Sequence, residues 1–206
     1  MAKWIRRPTT LVAMGILAFA AVAAGSADGA NLEKAVFAGG CFWCMEEAFE
    51  GVAGVVSVTS GYMGGTKVNP TYEEVSSGST GHAEAVEVLF DSSKTGYRKL
   101  LDIFWRNIDP TTPDRQFCDR GSQYRSAIFP LTETQQRQAE ESRQAIEQTK
   151  PFREQIVTQI APATTFYPAE DYHQDFYKRN PIRYKFYKYN CGRVKRLEEV
   201  WGKPQD

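Results

Sequence analysis

The chain is expected to fold as one α+β domain, a two-layer α/β sandwich with a mixed sheet and flanking helices. Three observations lead there. Its 206 residues suffice for one well-buried core and require no second. Near the start a strand-like run passes straight into a helix-like one, and later short segments alternate as antiparallel strands do. Finally, an amphipathic helix over 95–108 carries an apolar stripe of Leu100, Leu101, Phe104, Trp105 and Ile108, which belongs in a core.

The elements follow in order. Ala35, Val36 and Phe37 form a short buried strand, and Gly39-Gly40 lets the backbone turn sharply. Beyond Cys41, apolar residues at Phe42, Met45, Phe49 and Val52 share one helical face until Gly51 and Gly54. Cys41 therefore stands at a helix mouth, where unpaired N–H groups and the dipole favour a thiolate. A strand is expected over 55–63, a loop over 64–70 and a short helical turn over 71–76. Val86, Val88 and Phe90 mark a strand over 85–90. The segment 109–122 is a long polar loop of the kind that is often functional, followed by a strand over 123–129. Thr132 with Gln135 suggests a capping box opening a solvated helix. Strand pieces are expected at 156–160 and 164–166, a helix over 169–178 that contains Tyr172, His173 and Gln174, and a short closing helix over 193–201.

The first 30 residues are a separate matter. Three basic residues precede a continuous apolar run over 11–24, and small residues follow. That run is short for a membrane span, which needs about 20 residues. The layout is that of a secretory signal cleaved within 24–30, with an uncleaved anchor as the alternative. Residues 31–206 would then be the mature domain, periplasmic or secreted. The full chain balances 25 basic against 25 acidic residues, so nothing implies nucleic acid or an acidic surface as partner. Many tyrosines sit in polar stretches where a core does not account for them.

Four cysteines and two histidines bound the chemistry. A thiolate at Cys41 could attack an acyl carbon, a disulfide, a peroxide or a sulfoxide sulfur. Acyl transfer needs a histidine base, for which only His82 and His173 are available. Cys41-Phe-Trp-Cys44 has the thioredoxin spacing with unusually large intervening residues. Zinc would lack a second Cys-x-x-Cys pair. Two structural disulfides in an exported domain are the remaining alternative.

Further segments narrow the choice. Gly40-Cys41-Phe42-Trp43, Gly61-Tyr62, Asn69-Pro70-Thr71-Tyr72, Gly81-His82-Ala83-Glu84, Asp109-Pro110-Thr111, Gln123-Tyr124-Arg125-Ser126 and Ala169-Glu170-Asp171-Tyr172-His173-Gln174 occur in that order. Together, from about residue 34 onward, they resemble peptide methionine sulfoxide reductase type A. The resemblance implies thiol-dependent reduction of methionine S-sulfoxide, free or in proteins, as oxidative repair, with no bound cofactor and no metal. It makes Cys41 the nucleophile and Glu84, Tyr72 and Tyr124 the groups that hold the sulfoxide oxygen. Phe42 and Trp43 become the wall for the substrate methyl. Asp119 matches the aspartate near the nucleophile, although Phe117-Cys118-Asp119 departs from the family's common Gly-Asn-Asp. A cysteine sulfenic acid, then an intramolecular disulfide, would be recycled by an external thioredoxin-like dithiol. Cys191 is the expected resolving residue, with Cys118 and Cys44 as alternatives. The histidines are expected to be core hydrogen-bonding groups rather than bases, and the chain to be a monomer.

Overall fold

The computed structural model describes Met1 and residues 31–203. The expected signal segment lies outside the described residues. Among those described, no helix is long and apolar enough to cross a membrane.

Strand β1 (Leu32–Gly39) runs into helix α1 (Phe42–Glu50), as the pattern predicts. Strand β2 (Val55–Met63), helix α2 (Tyr72–Ser76), strand β3 (Ala83–Asp91) and helix α3 (Tyr97–Arg106) follow. Within 109–122 the polar loop contains a small ribbon, β4 (Arg115–Gln116) paired with β5 (Asp119–Arg120). A 3-10 turn, Ser122–Tyr124, then precedes β6 (Ser126–Phe129), so the expected strand begins three residues late. Helix α4 is Glu133–Thr149, β7 is Gln159–Ile160 and β8 is Tyr167–Pro168. The C-terminal helices are α5 (Phe176–Arg179), α6 (Pro181–Asn190) and α7 (Arg193–Trp201).

Six strands make one sheet in the order β7-β6-β1-β3-β2-β8. All neighbours are antiparallel except β6 and β7, so the sheet is mixed. Strand periodicity assigns its faces. Phe37, Val86, Val88, Phe90 and Tyr62 point into the main core with Met45, Phe49, Leu100, Phe104 and Trp105 from the helices. Val36, Ala38, Ala85 and Phe129 point the other way, covered by Ala161, Ala163 and Phe166. Two layers result, as expected.

Two local expectations fail for a common reason, side chains engaged elsewhere. The segment 169–178 is mostly turns, and only Phe176–Arg179 is helical. Gln174 bonds both backbone groups of Ser60, Glu170 bonds Tyr62 and Tyr72, and Asp175 takes a left-handed φ of 53°. At α4, Thr132 Oγ1 accepts from the Gln135 amide at 3.1 Å. The Gln135 side chain, however, reaches Leu131 N and Lys34 O, so the box is only half made. A full box occurs instead at α2, between Thr71 and Glu74.

The double glycine matters to the site. Gly40 has φ +80°, and a Cβ there would lie 2.4 Å from Gln116 Cβ. Gln116 in turn bonds the N–H and C=O of Asp109, at 2.8 and 2.6 Å. Gly40→Ala combines left-handed strain with overpacking, so it should cost about 2–4 kcal/mol of stability. A thermal melt of the purified variant checks this; an unchanged midpoint would show that the ribbon yields freely.

Candidate active site

Cys41 is the N-cap of α1, and its own side chain makes no cap bond. The reversal at Gly39-Gly40 tips the helix mouth toward the ends of β2 and β3. On β3, Glu84 belongs to the same face as Val86, Val88 and Phe90, two residues before the apolar run, and in register with Tyr62 on β2. A carboxyl on the core face of a central strand has little water around it. Glu84 is 3% exposed, and its Oε2 accepts the Phe42 N–H at 3.0 Å. It is the anion-sized occupant of the helix mouth. Burial nevertheless dominates over that bond and pushes its pKa up to about 8. At neutral pH Glu84 is a proton donor.

Cys41, Phe42, Trp43, Tyr72, Glu84, Asp119 and Tyr124 all line one cavity of about 70 Å³, joined by Tyr187. Six separate elements converge there: α1, α2, β3, β5, the 3-10 turn and α6. Tyr72 opens α2, and its amide donates to Glu170 Oε1 at 2.8 Å. Tyr124 ends the 3-10 turn, whose neighbour Arg125 is tied to Ser122 O and Gly81 O. Burial raises both phenols, Tyr72 to about 12 and Tyr124 further, so both remain donors. The volume suits a sulfoxide head, a few atoms, and not a whole side chain.

The aromatic wall is braced from behind. Trp43 stacks on Phe176 at 3.7 Å between centroids, and its indole N–H donates to His173 Nδ1 at 3.2 Å. Burial lowers the His173 pKa, so the ring is the neutral acceptor this bond requires. His82 accepts from Gly65 N and bonds Lys67 O, fixing the 64–70 loop. Neither histidine lines the cavity.

The thiols depart from expectation. Burial raises Cys41 well above its ordinary value of 9.0, and the neighbouring Cys44 and Glu84 add to it. This is opposite to what its place at a helix mouth predicts; with Cys41 only 6% exposed, desolvation outweighs the dipole. Cys44, hydrogen-bonded to Cys41, is lowered to about 6, with the Arg193 charge helping against burial. Cys44 faces the rear of α1 and a separate cavity of about 870 Å³ shared with Glu47, Lys188, Arg193 and Trp201. That larger space does not include Cys41.

Cys118 and Cys191 form a disulfide 73 residues apart in sequence, while Cys41 and Cys44 are free. Sequence reasoning treated Cys118 and Cys191 as alternatives and missed their pairing. It also missed Tyr187, whose hydroxyl donates to Asp119 Oδ2 and lies 4.0 Å from Cys191 Sγ. A signal existed, because Tyr184, Tyr187 and Cys191 are spaced for one helical face. Tyr184 is buried on that face beside Cys44.

Such a site can protonate an oxygen while a sulfur attacks the atom that bears it. Comparison with known proteins points to the same chemistry. The model of the family described as peptide methionine sulfoxide reductase matches residues 33–205. Peptide methionine sulfoxide reductase MsrA of Halalkalibacterium halodurans is 52% identical over 173 residues, 84% of this chain and 98% of that protein. The Listeria innocua protein of the same name is 50% identical over 83% of this chain and 97% of its own length. Among solved structures, methionine sulfoxide reductase A of Corynebacterium diphtheriae aligns with TM-score 0.68 and 35% identity, covering 75% of this chain and 78% of that one. Reduced Mxr1 from Saccharomyces cerevisiae aligns with TM-score 0.70 and 30% identity, covering 75% and 89%. With a family model that spans nearly all the described residues, and relatives matched almost end to end, the chain belongs to the peptide methionine sulfoxide reductase family, type A.

Proposed function

We propose that this chain reduces methionine S-sulfoxide, free or in oxidised proteins, through a cycle of three thiols. The observation that carries the reading is Glu84: a neutral carboxylic acid at the helix mouth, opening on the same small cavity as the Cys41 sulfur. Sulfoxide sulfur is a poor electrophile until its oxygen accepts a proton. Glu84 supplies that proton, and Tyr72 and Tyr124 hold the oxygen from two other elements. Phe42 and Trp43 take the methyl group, so that one epimer alone presents its sulfur to Cys41. Cys41 attacks and passes its thiol proton to the Glu84 carboxylate, methionine departs, and the oxygen stays on Cys41 as a sulfenic acid. An assay resolved by sulfoxide epimer tests this: the S form should yield methionine and the R form none. Equal turnover of both would remove the role given to the wall.

Cys191 then attacks the sulfenic acid, releasing water, and Cys118 displaces Cys41 from Cys191. The product is the Cys118–Cys191 disulfide. This is supported by the position of Tyr187, whose hydroxyl borders both the Cys41 cavity and Cys191 Sγ, and by Gly192 at φ +69°, a pivot beside Cys191. Cys118 is exposed, where an external thioredoxin-like dithiol can reach the disulfide. Cys191→Ser should release about one methionine per chain and then stall with a protein reductant. Cys118→Ser should accumulate a Cys41–Cys191 disulfide and slow recycling roughly tenfold or more. Mass spectrometry of alkylated samples reads both, and full recycling by Cys191→Ser would overturn the order. The N-terminal signal suggests that this repair takes place after export.

A further inference from the structure

The acid beside the exit disulfide has a placement that sulfoxide reduction does not require. Asp119 sits in the β4–β5 ribbon with one oxygen toward each disulfide sulfur. Its Oδ1 is 3.6 Å from Cys118 Sγ, and its Oδ2 is 3.9 Å from Cys191 Sγ. The Tyr187 hydroxyl donates to that same Oδ2 and fixes the carboxylate between the two sulfurs. The Cys118 amide points at Cys191 Sγ, 3.2 Å away. Glu84 already serves as the acid facing the Phe42 end of the cavity. A second carboxyl, equidistant within a few tenths of an ångström from both resolving sulfurs, has a different task.

We infer that the Asp119 carboxylate is the shared proton acceptor of the two disulfide-forming thiols. The inference rests on the three-thiol cycle proposed above. In the first step the Cys191 thiol gives its proton to Asp119 and its sulfur bonds to Cys41. The S–O bond of the sulfenic acid breaks, and the departing hydroxide takes a proton from Glu84 to leave as water. In the second step the Cys118 thiol gives its proton to the same carboxylate and its sulfur displaces Cys41 from Cys191. Asp119 returns a proton after each step, in the first to the Glu84 carboxylate across the shared cavity and in the second to the departing Cys41 sulfur by way of the Tyr187 hydroxyl. No external oxidant enters, because the sulfenic sulfur of Cys41 accepts the two electrons that the Cys191 and Cys118 thiols give up, and its oxygen leaves as water. Burial raises the Asp119 pKa, with Tyr187 and Arg193 pulling it back, which makes the carboxylate a stronger base than an exposed one. Tyr187 is a positioning residue in this scheme, and Asp119 a catalytic one.

The test separates the two halves of the cycle. Reduced full-length chain is mixed with methionine S-sulfoxide without reductant and acid-quenched over time. Methionine is counted by chromatography and free thiols by alkylation and mass spectrometry. Wild type should lose one thiol to the sulfenic acid as it releases methionine and then a second to the disulfide, the thiol loss that the variants alter; a wild type that releases none refutes the proposed function itself. Asp119→Asn should slow thiol loss roughly a hundredfold and methionine release by less than tenfold. Formate added to Asp119→Ala should speed thiol loss in proportion to its concentration, a rescue that a packing role does not produce. Tyr187→Phe should slow thiol loss by a smaller factor and show no response to formate, since the carboxylate remains. Thiol loss that merely keeps pace with methionine release in Asp119→Asn, or that formate fails to restore in Asp119→Ala, overturns the inference.

Discussion

Cys41→Ser should abolish methionine formation, even with excess small dithiol present. Serine preserves the N-cap backbone and nearly the volume, so the fold should survive; only the sulfur is lost. The competing candidate is Cys44, whose lowered pKa of about 6 makes it the better thiolate at rest. Its position excludes it. Cys44 belongs to α1 proper and faces the rear cavity with Glu47, Lys188 and Arg193, whereas the oxygen-holding donors Glu84, Tyr72 and Tyr124 surround Cys41. A nucleophile without those donors meets an unactivated sulfoxide. Cys44→Ser should therefore keep most of the methionine burst. If Cys41→Ser retained more than about a tenth of the activity while Cys44→Ser lost it, the roles of the two thiols would be reversed.

How much of this was legible in the sequence follows from the range over which each residue's partners lie. The β1–α1 junction was readable because Phe37, Gly39-Gly40, Phe42, Met45 and Phe49 state their own local geometry. The even-numbered face of β3 was readable from Val86, Val88 and Phe90, and Glu84 two residues earlier extends it into the core. The 169–178 helix failed because Glu170 and Gln174 bond partners about a hundred residues away, which no local pattern contains. The Cys118–Cys191 pairing and the Tyr187–Asp119 bond are of the same kind. Their partners come from the ribbon and from the α6 region, and only the folded sheet brings those together. The direction of the Cys41 shift was missed for a physical reason too. A helix mouth lowers a thiol only while water still reaches it, and the sequence did not show that Phe42, Trp43 and the C-terminal helices close over it.

Glu84→Gln should lose activity and gain stability, from one cause. Gln can still accept the Phe42 N–H and still fits the site, but it has no proton to give to the sulfoxide oxygen. Single-turnover methionine release should fall roughly 10²–10³-fold. In the wild type, release should also decline above pH 8, as Glu84 loses its proton near its raised value of about 8. The Cys41 thiol, held above 9.0 by burial, remains protonated over that range, so the decline belongs to the carboxyl. The same shift burdens the fold. Glu84 titrates near 4.5 when unfolded and near 8 when folded, so the unfolded chain gains by ionising it wherever pH exceeds 4.5. That cost is absent below pH 4.5, grows as pH rises, and levels off above 8. At pH 7 it amounts to about 3 kcal/mol. Gln escapes it, so urea melts of the two proteins should coincide near pH 4 and diverge in favour of Gln as pH rises. A Gln variant equally stable at every pH would mean that Glu84 is ionised in the folded chain, and an ionised Glu84 has no proton with which to activate a sulfoxide.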